Sequence, residues 1–516
     1  MENEKMNKKD LPVVVIGAGL GGLGAACQLA LSGEKVLLLE KHNVPGGFAT
    51  SFVRGRFEFE GALHVLAEVG NEERPLSLYD FFKDLGVLSK IEFKKPNDLC
   101  RSIFHDGLDI TFPNDRERYF EKLIELFPNE KKGINKYKEI VFKVREGFNY
   151  VAAKEGKATP LGILLKHPYL ARVGGLTLND IFNRCFNDLR LRAVATQLWG
   201  YEGLPPSRVN AMYYFLVLMA LLDDAVFPVG RSHALSSVIV ECFEKLGGVI
   251  KYNALVNRIL VKEGKVCGVE LLNGEKFQCK AVISNLNPIC TTMKMLPRET
   301  VSDQYKKRIY APEIGTSVFT VYLGLNETPK NLGVTHFEVF MNSTYDLEEQ
   351  YLSTLRIERP KYLLASCYNV MYKEISPPGT SQVVLTILQD GKSWCAVPPY
   401  QYHRKKDEMA NYMIDMVEEM LYPNLRDHIE TAEAATPLTY YHYSKSLNGA
   451  IYGYKQDLLD SPMMRLNSKG PVPGLYFAGA WVNLGGGYST SITSGRMAAG
   501  MYFEKIYLCP KIEGMA

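Results

Sequence analysis

The chain has 516 residues, enough for two or three domains and a large buried core. Its 46% apolar and 23% charged residues are those of a folded globular protein, and 60 basic against 57 acidic residues leave a net charge of +3. That balance gives no footprint for nucleic acid, so no nucleic-acid partner is expected.

Residues 1–10 are mostly charged or polar, with no apolar stretch after a basic start, so a signal peptide is not expected. Residues 11–40 carry the strongest signal. The buried-strand pattern Val13–Ile16 runs into Gly17-Ala18-Gly19-Leu20-Gly21-Gly22, which opens a helix through Leu23, Ala26 and Leu29. A second strand, 35–39, ends on Glu40, 23 residues after Gly17. Gly17 allows the tight turn, Gly19 lets a pyrophosphate approach the helix N-terminus, and Gly22 lets helix and strand pack closely. Glu40 is placed to accept a hydrogen bond from a ribose hydroxyl. A glycine pair, Gly46-Gly47, follows; it resembles the second phosphate-contacting loop of FAD enzymes, and the resemblance favours tightly held FAD over diffusible NAD.

The next segment, 76–227, reads as mainly helical, with Ile134, Tyr137, Val141, Val144 and Phe148 at helical spacing. Within it, 160–170 mixes apolar and basic residues, and reads either as an ordinary packed helix or loop or as an interfacial segment. Its longest nearly apolar run, 211–222, is twelve residues. Spanning a bilayer takes about 20, so this is read as a core helix and no transmembrane helix is expected.

Segment 228–295 returns to an α/β pattern. A helix over 235–243 precedes strands at 249–261 (Val256 inside) and 266–272, a turn at Asn273-Gly274, and a strand at 281–283. Segment 296–434 opens with a strand over 317–323 and closes with a helix striped by Met409, Met413, Met416 and Met420, read as core packing rather than a channel wall. The last segment, 435–507, has a strand over 475–478, the turn Gly479-Ala480-Trp481, glycines 485–487, Tyr488, and a helix starting near Ser489. Its free amides favour negative charge on a flavin ring. The expected fold is α/β: a discontinuous Rossmann-like FAD-binding domain (11–75, 228–295 and 435–507) with a mixed α+β substrate or cap domain inserted as 76–227 and 296–434. Ten scattered cysteines form no CxxC or zinc-like spacing. They read as small buried hydrophobes in a reducing, cytoplasmic setting, and no metal is expected.

An N-terminal phosphate loop paired with a C-terminal flavin-facing helix resembles the phytoene desaturase superfamily, which includes carotenoid desaturases, carotenoid isomerases and retinol saturases. Phe227-Pro228-Val229-Gly230, Val256-Asn257-Arg258-Ile259, Ile283-Ser284-Asn285 and Asn448-Gly449-Ala450 are similar to its scaffold motifs. Phe59-Glu60-Gly61-Ala62-Leu63-His64 is similar to the retinol-saturase segment near the flavin. The resemblance implies that Gly17, Gly19, Gly22, Glu40, Lys41, Gly47, Val256 and Gly479 contact FAD, and Gly46, Ala480, Gly487 and Ser489 are candidate cofactor residues beside them. Two positions depart from it. Ala480 stands where the family often has an acid, with Asn483 a candidate replacement. Arg231 stands where a second glycine is common, and is read either as solvated or as a phosphate or substrate contact.

The resemblance implies an FAD-dependent oxidoreductase acting on carbon–carbon double bonds of a hydrophobic polyene or isoprenoid by desaturation, saturation or flavin-assisted isomerisation. His64 is the first candidate for proton transfer. Tyr488 is the second, and it also forms a channel wall with Trp481; His233 is weaker. No second dinucleotide fingerprint follows residue 50, so a separate electron donor or acceptor is expected, with peripheral membrane contact for a lipid-borne substrate. Two alternatives stand: an amine-oxidase-like flavoenzyme, and a prenyl-lipid escort without redox chemistry.

Overall fold

A computed structural model describes residues 10–153, 159–458 and 465–504. Residues 1–9, Cys509 and residues 505–507 of the expected cofactor domain lie outside the described residues.

The apolar run Val13–Ile16 is buried throughout and sits at the centre of a five-stranded sheet. Its strand order is Leu475–Phe477, Ala281–Ser284, Val13–Ile16, Val36–Leu39, Val249–Lys251, and every pairing is parallel. Three distant stretches of the chain thus build one sheet, as a discontinuous α/β domain requires. A parallel sheet is covered on both faces. Val13 and Val15 pack with Leu23, Leu235 and Ile492, from the helices Leu20–Leu31, Arg231–Lys245 and Tyr488–Tyr502. Val14 and Ile16 pack with Ile259 and Val269 of a three-stranded antiparallel sheet. The strand expected over 249–261 is two strands, Val249–Lys251 and Val256–Lys262, one in each sheet. Asn253, at φ 53°, turns the chain between them. Local hydrophobicity does not reveal such a change of sheet.

The second large sheet has seven strands, ordered Ile429–Ala435, Ser317–Leu325, Ser381–Gln389, Tyr362–Ser366, Glu338–Asn342, Asp98–Phe104, Asp109–Pro113. The last two come from the segment expected to be mainly helical. Helices Lys131–Ala153 and Ala211–Asp223 do form there, and the second is a core helix. Strand Asp98–Phe104 takes its parallel partner from residues 339–342, a pairing invisible to local pattern. Odd positions of the sheet, such as Phe319, Val321 and Leu385, pack against Met409, Met413 and Met416 of helix Tyr402–Met420, so the methionine stripe is core. On the six strands other than Ile429–Ala435, where the parity is reversed, even positions face the other way, toward a cavity.

Candidate active site

Helices Leu20–Leu31 and Tyr488–Tyr502 meet closely. A Cβ on Gly24 would lie 2.4 Å from the Ile492 carbonyl oxygen, and one on Gly495 would lie 2.0 Å from that of Gly21. Only hydrogen at these positions lets the first and last helices cross at this separation. The N-terminal turn is tied to the second glycine loop by Gly46 N–H, which donates to the Ala18 carbonyl at 2.8 Å.

A cavity of about 510 Å³ opens between these turns. Gly17, Gly19, Glu40, Lys41, Gly46, Gly47, Val256, Gly479, Ala480, Gly487, Trp481, Tyr488 and His64 all line it. Two expected cofactor residues do not. Gly22 is turned into the packing beneath the loop, where a Cβ would sit 1.9 Å from the Gly17 carbonyl oxygen. Ser489 Oγ donates to the Ala67 carbonyl at 2.6 Å, one residue into a helix that begins at Tyr488. Both support the site from behind.

Glu40 is 5% exposed and accepts from Ala18 N–H at 2.6 Å and His42 N–H at 2.9 Å. It braces the glycine turn while facing the cavity. Lys41 Nζ donates to the Tyr443 carbonyl, and burial, with Lys445 nearby, lowers its affinity for a proton. Ala480 offers no side-chain hydrogen bond. Asn483 does not stand in for an acid there: its Nδ2 donates to Ser468 Oγ at 2.7 Å and Ser494 Oγ at 3.0 Å, and Ser494 Oγ accepts from Gly479 N–H. Arg231 is neither solvated nor on the cavity. It is 7% exposed, pairs with Glu58 at 3.2 Å and donates to the Ile375 carbonyl, because the helix starting there packs it inward. His233 likewise lies off the cavity wall.

Tyr488 hydroxyl donates to the Phe48 carbonyl at 2.9 Å and burial holds its pKa well above the usual phenol value, so it stays protonated and engaged. Trp481 stacks edge-on against Tyr454 with ring centroids 4.9 Å apart. Glu60, 1% exposed, accepts from Ala62 and Leu63 N–H at 3.2 and 3.1 Å and from Ser232 Oγ at 2.5 Å, and burial raises its pKa. It fixes the loop that presents His64.

Three features escaped sequence reasoning. Asn285 lies between the two glycine turns: a Cβ on Gly19 would be 2.7 Å from its Nδ2, and one on Gly479 would be 2.4 Å from its Oδ1. Its position at a strand end was the available signal. Lys445 enters the cavity wall beside Lys41 through the left-handed end of helix Pro437–Ser444. The even-numbered face of the seven-stranded sheet supplies Val318, Phe340, Tyr362, Leu364, Val384 and Leu388. A backbone cradle in which Gly19, Gly46 and Gly479 leave no room for a Cβ, two lysines and an adjoining apolar wall fit a flavin nucleotide with a nonpolar substrate beside it.

Comparison with known proteins agrees. The chain belongs to the flavin containing amine oxidoreductase family, whose model matches residues 20–500. It is a flavin-dependent oxidoreductase. It is 28% identical over 481 residues to an all-trans-retinol 13,14-reductase of Danio rerio, covering 86% of this chain and 78% of that one. It is 27% identical over 542 residues to a chloroplastic prolycopene isomerase 2 of an Oncidium hybrid cultivar, covering 96% and 85%. These relatives bear out the superfamily resemblance drawn from the glycine motifs. Among solved structures, an oxidoreductase from Methanosarcina mazei superposes with a TM-score of 0.62 at 17% identity, covering 96% and 100% of the chains. Putrescine oxidase superposes at 0.64 and 13%, covering 96% and 99%. Both bear out the α/β fold.

Proposed function

We propose that this protein binds FAD and acts on carbon–carbon double bonds of a hydrophobic polyene or isoprenoid. The carrying observation is that one cavity joins a glycine cradle at one end to the apolar face of a seven-stranded sheet at the other. Gly17, Gly19, Gly46 and Gly47 hold the diphosphate, Glu40 the ribose, Val256 the adenine side, and Gly479, Ala480 and Gly487 the ring; Gly22 and Ser489 shape the cradle from outside it. Segments 11–75, 228–295 and 435–507 form the cofactor domain, and 76–227 with 296–434 the substrate domain. FAD supplies hydride or single-electron transfer when bound. The protein supplies the rest. Tyr362, Leu364, Val384 and Leu388 exclude water and align an apolar chain, His64 moves the proton, and Tyr488 walls the site while its hydroxyl ties the two glycine turns together.

A separate electron donor or acceptor completes the cycle, since the sequence carries no second dinucleotide motif. Peripheral membrane contact is supported by helix Pro160–Lys166, where Leu161, Leu164 and Leu165 are 64%, 53% and 72% exposed beside Lys166. No helix among the described residues is long and apolar enough to cross a membrane. Free cysteines with no paired partner among the described residues, such as Cys27 and Cys100, support a reducing, cytoplasmic-side location.

The experiment is anaerobic incubation of oxidised and dithionite-reduced protein with carotenoids, retinoids and amines, followed by absorbance and product mass. The proposal predicts that purified protein is yellow and converts a polyene. Colourless protein supports the lipid-escort alternative, and turnover of amines with peroxide formation supports an amine oxidase.

A further inference from the structure

On the cavity face of the seven-stranded sheet, strand Glu338–Asn342 carries a buried carboxylate. Strand Glu338–Asn342 alternates, so Glu338 shares its face with Phe340, which lines the cavity among Tyr362 and Leu364. The Glu338 side chain is 3% exposed. Its cross-strand neighbour is Ser366, whose buried hydroxyl has no hydrogen-bond partner, so the sheet offers it no compensation. Among the described residues no lysine or arginine pairs with it. An isolated carboxylate in such surroundings costs several kcal/mol unless it is hydrogen-bonded and its charge is met.

Two side chains from elsewhere in the chain meet it. Tyr201 hydroxyl lies 3.1 Å from both Glu338 oxygens and donates to them. His64 Nδ1 lies 3.3 Å from Glu338 Oε1 and 3.4 Å from the Tyr201 oxygen. The phenol hydrogen is spent on the carboxylate, and burial beside Glu338 keeps Tyr201 protonated. A lone pair on Nδ1 would then face two oxygen acceptors, so Nδ1 carries the hydrogen. That leaves Nε2 as the free ring nitrogen of a histidine that lines the cavity. The loop bearing it is clamped twice, by Glu60 and by Tyr368, whose hydroxyl donates to the Leu63 carbonyl at 2.7 Å.

We propose that Glu338 and Tyr201 are positioning residues that hold the Nδ1–H tautomer of His64 and so present Nε2 to the substrate carbon as the proton-transfer group. The substrate part of this inference rests on the polyene reading above. When a substrate C–H bond yields its proton, an N–H bond forms at Nε2, the bonding pair stays on carbon, and the new positive charge on the ring faces Glu338. In the opposite direction the Nε2–H bond breaks, a π pair of the polyene forms the C–H bond, and the ring returns to neutral. Oxidation or reduction of the carbon skeleton is the flavin's share. The arrangement has the logic of a carboxylate behind a catalytic imidazole, with a phenol sharing the carboxylate.

The test is the tautomer itself. Holoenzyme labelled with 15N-histidine is read by long-range 1H–15N correlation in mildly alkaline buffer, with His64→Gln assigning the signal. Wild type shows the proton on Nδ1. Glu338→Gln shifts it wholly or partly to Nε2, and Glu338→Asp, which keeps the charge, retains Nδ1–H. In turnover, Glu338→Gln lowers kcat on the order of 100-fold with KM nearly unchanged, and Glu338→Asp recovers part of the loss. Wild-type His64 protonated at Nε2 overturns the inference even if Glu338→Gln fails to fold. A tautomer insensitive to Glu338→Gln overturns it as well. A wild-type Nδ1–H that Glu338→Gln abolishes, in a protein that turns over no polyene, upholds the cluster and overturns the substrate reading alone.

Discussion

The two ends of the cavity are built by different means. At the cofactor end the wall is largely backbone: Gly17, Gly19, Gly46, Gly47 and Gly479 come from loops held at strand ends, and their fitness lies in the side chains they lack. At the substrate end the wall is side chain, projected at every second residue from strands that are far apart in sequence. A backbone cradle tolerates almost no added atom, whereas a side-chain wall tolerates exchange and can be re-shaped. On the proposed function, the chemistry common to a flavin family belongs to the first end, and the choice of substrate to the second.

The sharpest way to break this contrast is at Gly22. Its added Cβ would overlap the Gly17 carbonyl oxygen at 1.9 Å. Gly22→Val is expected to cost about 3 kcal/mol or more and to yield colourless protein, read from the flavin-to-protein absorbance ratio and the melting temperature.

Glu202 provides the next effect, on the side-chain half. It is 2% exposed, neither carboxylate oxygen has a hydrogen-bond partner, and burial pushes its pKa up to about 8. The folded protein therefore keeps a proton that the unfolded chain releases above its ordinary value near 4.5. The unfolded state binds fewer protons across that window, so this group's contribution to stability falls as pH rises toward about 8 and is constant below the lower value. Glu202→Gln removes the dependence. Its unfolding free energy, read from denaturant midpoints, is expected to gain on wild type between pH 5 and 8 by an amount on the order of a few kcal/mol, and parallel pH curves would remove the account.

Leu364→Ser, at the apolar wall, is expected to leave flavin content unchanged and to weaken polyene binding roughly tenfold, read from the substrate's absorbance titration. An equal loss of flavin would mean that the two ends are not separable. The smallest effect is expected at Tyr488→Phe. Losing the hydrogen bond to Phe48 leaves that carbonyl unmet and costs about 1 kcal/mol, measured by denaturant midpoint, with colour retained.

The asymmetry between the two ends also separates what was legible in the chain from what was not. The strand-turn-helix at 13–31, Glu40 and the Gly46-Gly47 pair are contiguous, and each glycine answers a local demand, so the cofactor end could be read in order. The errors there were of address. Gly22 and Ser489 belong behind the wall, and Arg231 pairs with Glu58, because only packing decides which side of a turn faces the ligand. Strands Asp98–Phe104 and Val256–Lys262 went astray for a related reason: each takes its sheet from a partner the local pattern does not name.

By itself the sequence determined the α/β class and the glycine turns that line one end of the cavity, because glycines at fixed spacing impose the same turn wherever they occur. Only the tertiary structure decided the substrate wall and the meeting of His64, Tyr201 and Glu338. Residues 137 positions apart carry no mark of one another until a sheet register and a clamped loop bring their polar atoms within hydrogen-bonding reach.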